Sequence, residues 1–239
     1  MQQSGAITLA DALFPRVRSD SRAAAIARDV ALMVGFACFV ALCAQIAIRL
    51  PWTTVPITGQ TFAVLVTGGA LGMWRGAGAL TIYMLAGFVM PVYAPGNSAT
   101  SGAWDVHFIA PWSGTSAFPW DISSGGYIVG FILAAALVGY LAERRQWDRK
   151  PWVHLGMLMG NAVPYVPGLL WLAYLIGSGW VHPVGRPLAD LIAGSGTWSK
   201  TLVGGLYPFI VGDLMKLLLA SATLPAAWAL AQRWRKPQA

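Results

Sequence analysis

The feature that most constrains this chain is a series of apolar runs too long and too numerous for a water-soluble core. Val30–Ile48, Phe62–Trp74, Gly76–Tyr93, Gly125–Ala142, Val153–Ile176 and a stretch within Thr201–Leu230 are almost free of charge. A hydrocarbon core about 30 Å thick takes about 20 helical residues to cross. Composition agrees, since 56% of the 239 residues are hydrophobic and 10% are charged. Soluble domains carry about 25% charged residues. A soluble enzyme, a disordered chain and a disulfide scaffold are excluded. The expectation is an all-α integral membrane protein, a single bundle of six transmembrane helices over residues 30–231. A cytoplasmic segment (1–29) precedes it and a basic cytoplasmic tail (232–239) follows.

The second run is only 13 residues long and contains Gly68, Gly69 and Gly72. As a helix it rises about 20 Å, so a short or broken second helix is expected, surrounded by protein. Arg75 marks a tight turn before the third span. Pro164, Pro167, Pro208 and Pro225 bend or delimit the last two spans. Cys38 and Cys43 share one apolar run and cannot bridge without breaking it.

The net charge of +7 is topological. With six spans, 12 of the 16 cationic residues fall on the side of the two termini, including Arg28, Arg75, Arg144 and Arg233. Arg49, Arg186 and Lys200 fall opposite. Lys and Arg accumulate in cytoplasmic loops, so both termini are placed inside a plasma (inner) membrane. The loop 94–124, between helices three and four, then lies outside. It has no Lys or Arg and carries Trp104, Trp112 and Trp120. A loop this long reads as a lid over a site.

Charges inside an apolar run are expensive and mark function by default. Asp213 and Lys216 lie in the run Phe209-Ile-Val-Gly-Asp-Leu-Met-Lys-Leu-Leu-Leu-Ala. Counting back from Arg233 places Lys216 about 25 Å and Asp213 about 30 Å up the helix, in the outer half of the bundle. The pair reads either as a structural ion pair or as an anion binder beside an acceptor of N–H bonds. Gln60 and Thr61 open the short second helix, Tyr127 follows Gly125-Gly126 at the fourth, and Asn161 and Tyr165 share one face of the fifth. A further surface is the small-residue stripe Ala23, Ala27, Ala31 and Gly35 on the first helix, with Ala37 and Ala41 repeating the spacing. Such stripes let another helix approach closely, from the same bundle or from a partner subunit.

Other chemistries are missing from the sequence. In Gly194-Ser-Gly-Thr-Trp-Ser199-Lys200-Thr201 a serine replaces the second phosphate-loop glycine, and no strand is expected before it. ATP hydrolysis would need separate subunits. His107, His154 and His182 have no metal spacing. An intramembrane hydrolase built on Ser113, Ser116 and His107 stays open as an alternative class.

Four motifs, in matching order from about Gln45 to Leu219, carry a resemblance. They are Pro56-Ile-Thr-Gly-Gln60-Thr-Phe62, Gly125-Gly-Tyr127-Ile-Val-Gly130-Phe131, Tyr165-Val-Pro-Gly168-Leu-Leu-Trp171-Leu172 and Pro208-Phe-Ile-Val-Gly212-Asp213-Leu-Met-Lys216. Together they resemble the BioY family, the biotin-specific substrate-binding subunits of energy-coupling-factor transporters. The resemblance implies a six-helix subunit, itself not an enzyme and without a cofactor, that captures biotin from outside. Its partners would be a transmembrane coupling protein and two cytoplasmic ATPases, with no nucleic acid involved. The implied substrate site is Asp213, Lys216, Tyr127, Asn161, Tyr165, Gln60 and Trp171. Lys216 would meet the biotin carboxylate or the ureido carbonyl, and Asp213 the ureido N–H groups. The implied docking face for the coupling protein is Ala27, Ala31, Gly35, Ala37 and Ala41. The loop is longer than the family's and reads Ser123-Ser124 before Gly125. Asn97 is its one candidate ligand group, and another small vitamin is the alternative substrate.

Overall fold

The computed structural model describes residues 8–15, 21–96, 104–145 and 152–235. The chain runs through a short α1 (Leu9–Leu13), α2 (Arg22–Ala44), α3 (Gln60–Leu71) and α4 (Met73–Val89). It continues through α5 (Gly125–Arg145), α6 (Val153–Ala162), α7 (Tyr165–Gly177), α8 (Leu188–Leu191), α9 (Gly196–Gly205) and α10 (Ile210–Arg235). Four helical stretches are long and apolar enough to cross a membrane, at 22–44, 125–144, 153–177 and 196–233. The other two expected crossings coincide with α3, of 12 residues, and α4, of 17. Large apolar side chains stay exposed along the outside, as with Val166, Leu170 and Tyr174 on α7 and Leu214, Leu218 on α10. A bilayer replaces water on such a surface.

Helix α5 is the central post, packed on α3, α4, α6 and α7. Its inner face carries Ala134 and Ala135, both fully buried. Small residues bring the α3 backbone close, so that a β-carbon on Gly68 would stand 2.6 Å from the Ala135 carbonyl oxygen. The principal core joins Val40, Val64, Leu80, Tyr83, Ile128 and Phe131 around this post.

Several boundaries differ from expectation. Helix α2 starts at Arg22, eight residues before the expected first span. Ser21 caps it, with its hydroxyl accepting the Ala24 N–H at 3.2 Å. The turn before the third span is made by Gly72 at φ +86°, a left-handed conformation that favours glycine, and not at Arg75. The all-helical expectation also fails in the connections. Strands β1 (Ala47–Arg49), β2 (Ile57–Thr58) and β3 (Asp105–His107) form an antiparallel sheet in the order β2-β1-β3. Strands β4 (Val181–His182) and β5 (Arg186–Pro187) form a hairpin. Between helices these segments must pair their backbone groups by other means.

The last two expected spans are each broken. Pro164 separates α6 from α7, because proline donates no backbone N–H. A 3-10 turn, Tyr207–Phe209, separates α9 from α10. Pro225, by contrast, lies inside α10 without ending it.

The far end of α3 carries an ionic cluster. Asp11 in α1 pairs with Arg75 at 2.8 Å and Arg28 at 3.0 Å, and Arg28 also pairs with Asp29 at 3.0 Å. Arg75 Nη2 donates to the Thr8 hydroxyl at 2.8 Å. Burial alone would raise the Asp11 carboxyl, but hydrogen bonds from Arg75, Thr8 and Arg28 hold it well below the usual carboxylate range. Leu9, Ala10 and Ala12 are buried beneath this cluster, so α1 is packed onto the bundle.

Candidate functional site

The start of α3, the start of α5, the α6–α7 break and the start of α10 converge at the opposite end of the bundle. They line a pocket that is partly open to solvent, with about 610 Å³ of space that includes some of that solvent. Six of the residues expected from the sequence line it, namely Gln60, Tyr127, Asn161, Tyr165, Asp213 and Lys216.

The α9–α10 break explains how two charges are tolerated there. Asp213 lies in the first turn of α10, because the helical run that holds it is broken just before it. Free N–H groups and the helix dipole favour an anion at that end. Asp213 Oδ1 meets Lys216 Nζ at 2.5 Å, and Tyr165 Oη donates to Asp213 Oδ2 at 2.5 Å. Lys216 Nζ also donates to the Thr58 carbonyl at 3.0 Å. Side-chain exposure is 7% for Asp213 and 14% for Lys216. The pair is buried, yet it lines an empty space and is not sealed in a core.

The aromatic wall is set by close backbone contact. A β-carbon on Gly168 would stand 2.5 Å from the Tyr127 ring, so α7 needs a glycine where Tyr127 lies across it. Tyr127 Oη donates to the Gly205 carbonyl at 2.7 Å, satisfying a free carbonyl at the end of α9. The Tyr127 and Tyr165 rings meet edge-to-face, with centroids 6.0 Å apart. Asn161 is buried, and among the described residues its Oδ1 has no hydrogen-bond partner. An orphaned buried carbonyl costs about 1–3 kcal/mol, so this acceptor fits a ligand donor.

Three expectations change. Trp171 does not line the cavity. Its indole N–H donates to the Ile122 carbonyl at 3.0 Å, which ties the end of the loop 94–124 to α7. Ala37 and Ala41 are buried inside the bundle and are not on an outer face. Ala27, Ala31 and Gly35 are exposed, with open space where a Gly35 β-carbon would be. Asn97 lies outside the described residues.

The sequence reading missed Tyr93 and Ala94, which with Ser124 bring both roots of the loop 94–124 into the cavity wall. Tyr93 pairs with Thr115 across the loop, its N–H donating at 3.0 Å. The loop's β3 extends the sheet, with Asp105 paired to Arg49. The Ser113 hydroxyl and His107 Nε2 are 2.9 Å apart, but the pair is exposed and away from the cavity lining. Lys200, in the degenerate phosphate loop, is bonded to the Ala189 carbonyl.

Fold and cavity together define a helical membrane protein with a pocket at one end of its bundle, lined by apolar and aromatic side chains and a few buried polar groups. The chain belongs to the BioY family, whose model matches residues 15–233. It is 30% identical to the biotin transporter BioY of Rhodobacter capsulatus, over 69% of this chain and 74% of that protein. It is 27% identical to the probable biotin transporter BioY of Pyrococcus horikoshii, over 81% of this chain and 92% of that one. The fold is similar to the 2.1 Å crystal structure of the S-component for biotin from an ECF-type ABC transporter. That likeness has a TM-score of 0.58 at 19% identity and covers 87% of this chain and 94% of the other.

Proposed function

We propose that this protein captures biotin in the cavity at the head of α10 and is the substrate-specific subunit of an energy-coupling-factor transporter. The observation that carries this is the convergence of a donor, a carboxylate and an unpartnered amide carbonyl on one pocket. Lys216 and Asp213 stand 2.5 Å apart, so they offer a donor and an acceptor side by side. One edge of the biotin ureido ring presents a carbonyl beside an N–H, the complementary pattern. The second ureido N–H then matches the free Oδ1 of Asn161. The Tyr127 and Tyr165 rings flank the bicyclic system.

Six crossings, by α2, α3, α4, α5, α6–α7 and α9–α10, suit this role. Arg28, Arg75, Arg144 and Arg233 stand at helix ends away from the cavity, which supports cytoplasmic termini and an outward-facing site in the plasma membrane. The outer loop then acts as a lid, since both its roots form cavity wall. The exposed Ala27, Ala31 and Gly35 suit docking of a transmembrane coupling protein. Two cytoplasmic ATPases would supply the energy.

Calorimetric titration of the detergent-solubilised protein with biotin, with thiamine and riboflavin as controls, tests the reading. Stoichiometric biotin binding with no response to the controls is expected. A folded, ligand-free preparation that ignores biotin refutes it.

A further inference from the structure

A directed chain of hydrogen bonds leaves the cavity and ends in the outer loop. It begins where Lys216 Nζ donates to the Thr58 carbonyl at 3.0 Å. The Thr58 hydroxyl accepts the Gln60 backbone N–H at 3.3 Å and donates its own proton to Gln60 Oε1 at 2.8 Å. That fixes the amide's direction, because oxygen and nitrogen of a glutamine side chain are not interchangeable. Gln60 Nε2 must then donate, and it does so to Tyr83 Oη at 2.7 Å. The Tyr83 proton is thereby left for the Val92 carbonyl, at 3.3 Å. From the Thr58 hydroxyl onward, each donor is matched to the acceptor that follows it.

Tyr83 is 1% exposed and does not line the cavity. Its hydroxyl reaches the site through Gln60, and its ring meets that of the cavity residue Tyr93 edge-to-face, with centroids 5.5 Å apart. At its other end, Val92 is followed by the cavity residue Tyr93. The Tyr93 carbonyl accepts from Gln45 Nε2 at 3.0 Å and from the Thr115 N–H at 3.3 Å. Its hydroxyl donates to the Met84 carbonyl at 2.7 Å. The loop root is held by side chains that also set the polar wall.

We infer that Tyr83 is a positioning residue for ligand capture. Its hydroxyl orients the Gln60 amide and ties that orientation to the root of the outer loop, so that filling the cavity tightens the loop. This rests on the cavity being the biotin site. Tyr83→Phe removes the acceptor of Gln60 Nε2 and the donor to Val92 together.

The test combines biotin titration with amide hydrogen exchange at Tyr93 and Thr115, whose N–H groups pair across the loop. Tyr83→Phe should weaken biotin binding about tenfold and abolish biotin-dependent slowing of that exchange. In a Gln60→Ala background the same change should cost less than about twofold, because Tyr83 acts through Gln60. Wild-type affinity in Tyr83→Phe, or full losses that multiply in the double variant, overturns the inference. Should Tyr83→Phe not fold, Gln60→Ala alone still decides: it should speed exchange at both amides without biotin, and unchanged exchange overturns the chain. Failure of the wild-type protein to bind biotin refutes the site itself, and the ligand-free exchange distinguishes the two failures.

Discussion

Replacing Lys216 by Met separates the two things an ion pair can do here. The variant keeps the apolar stem and removes the charge, leaving the Asp213 carboxylate, 7% exposed, without its cation. Breaking a buried pair from one side costs about 3–5 kcal/mol. The Tyr165 hydroxyl at 2.5 Å and the first turn of α10 remain. Each offsets about 1 kcal/mol, leaving a net loss of about 2 kcal/mol. For a chain of this size that lowers Tm by about 4–8 °C. Adding Asp213→Asn removes the stranded charge, so the double variant should regain most of the loss, since neutral replacement of a buried pair is often harmless. Affinity should not return. Losing two charge-assisted bonds to the ligand costs at least about 3 kcal/mol, more than a hundredfold. Thermal unfolding in detergent without ligand and calorimetric titration of the same samples read the two effects apart. A double variant that binds biotin like the wild type would show that the pair only holds the bundle together.

Asn161→Ala should weaken biotin binding about tenfold yet leave ligand-free stability unchanged or raised, because it deletes an orphaned carbonyl; a clear drop in Tm without ligand would mean that carbonyl has a structural partner. Ala27→Leu and Ala31→Leu sit on an exposed face, so uptake in cells should fall while binding to the purified protein stays normal, and normal uptake by both returns the stripe to lipid contact. The Asp11 cluster predicts a pH dependence. Its carboxyl is depressed in the folded protein, so its stabilisation is complete above the unfolded carboxylate value of about 3.9 and is lost as pH falls through the lower folded value. The Tm gap between wild type and Asp11→Asn should therefore be constant from pH 7 to about pH 5 and close only in stronger acid, and a gap that closes near neutrality refutes the assignment.

Much of the site was legible because membrane burial makes polar residues conspicuous. Asp213, Lys216, Asn161 and Gln60 stand out in runs where a charge or amide needs a reason, and all four line the cavity. Pro164 marked the α6–α7 break, and Gly125-Gly126 the close packing before Tyr127. Trp171 misled, since a tryptophan about one and two-thirds helix turns from Tyr165 faces the loop and bonds a backbone carbonyl. Ala37 and Ala41 share the spacing of the exposed stripe but not its face, because Ala37 lies two residues past Gly35, about 200° around a helix of 3.6 residues per turn. Tyr83 and Tyr93 gave no signal, as an aromatic inside an apolar run reads as core until its hydroxyl partner is known. The break between α9 and α10 had a cue in Pro208, which marks a bend or limit in the sequence, but the 3-10 turn that parts two helices there is seen only in the structure.

The N-terminal cluster also carries information about biosynthesis. Asp11 leaves the ribosome 17 residues ahead of Arg28 and 64 ahead of Arg75. Its two-sided clamp therefore cannot close on the nascent chain until α2 and α3 have formed and the first turn of α4 has emerged. Until then α1 has neither its second cation nor the packing surface of α10, which is made last. Docking of α1 can begin on α3 once Arg75 has emerged, and only its α10 contact waits for the end of the chain. Full protection of the α1 segment from protease would report that α10 has joined α3 against it.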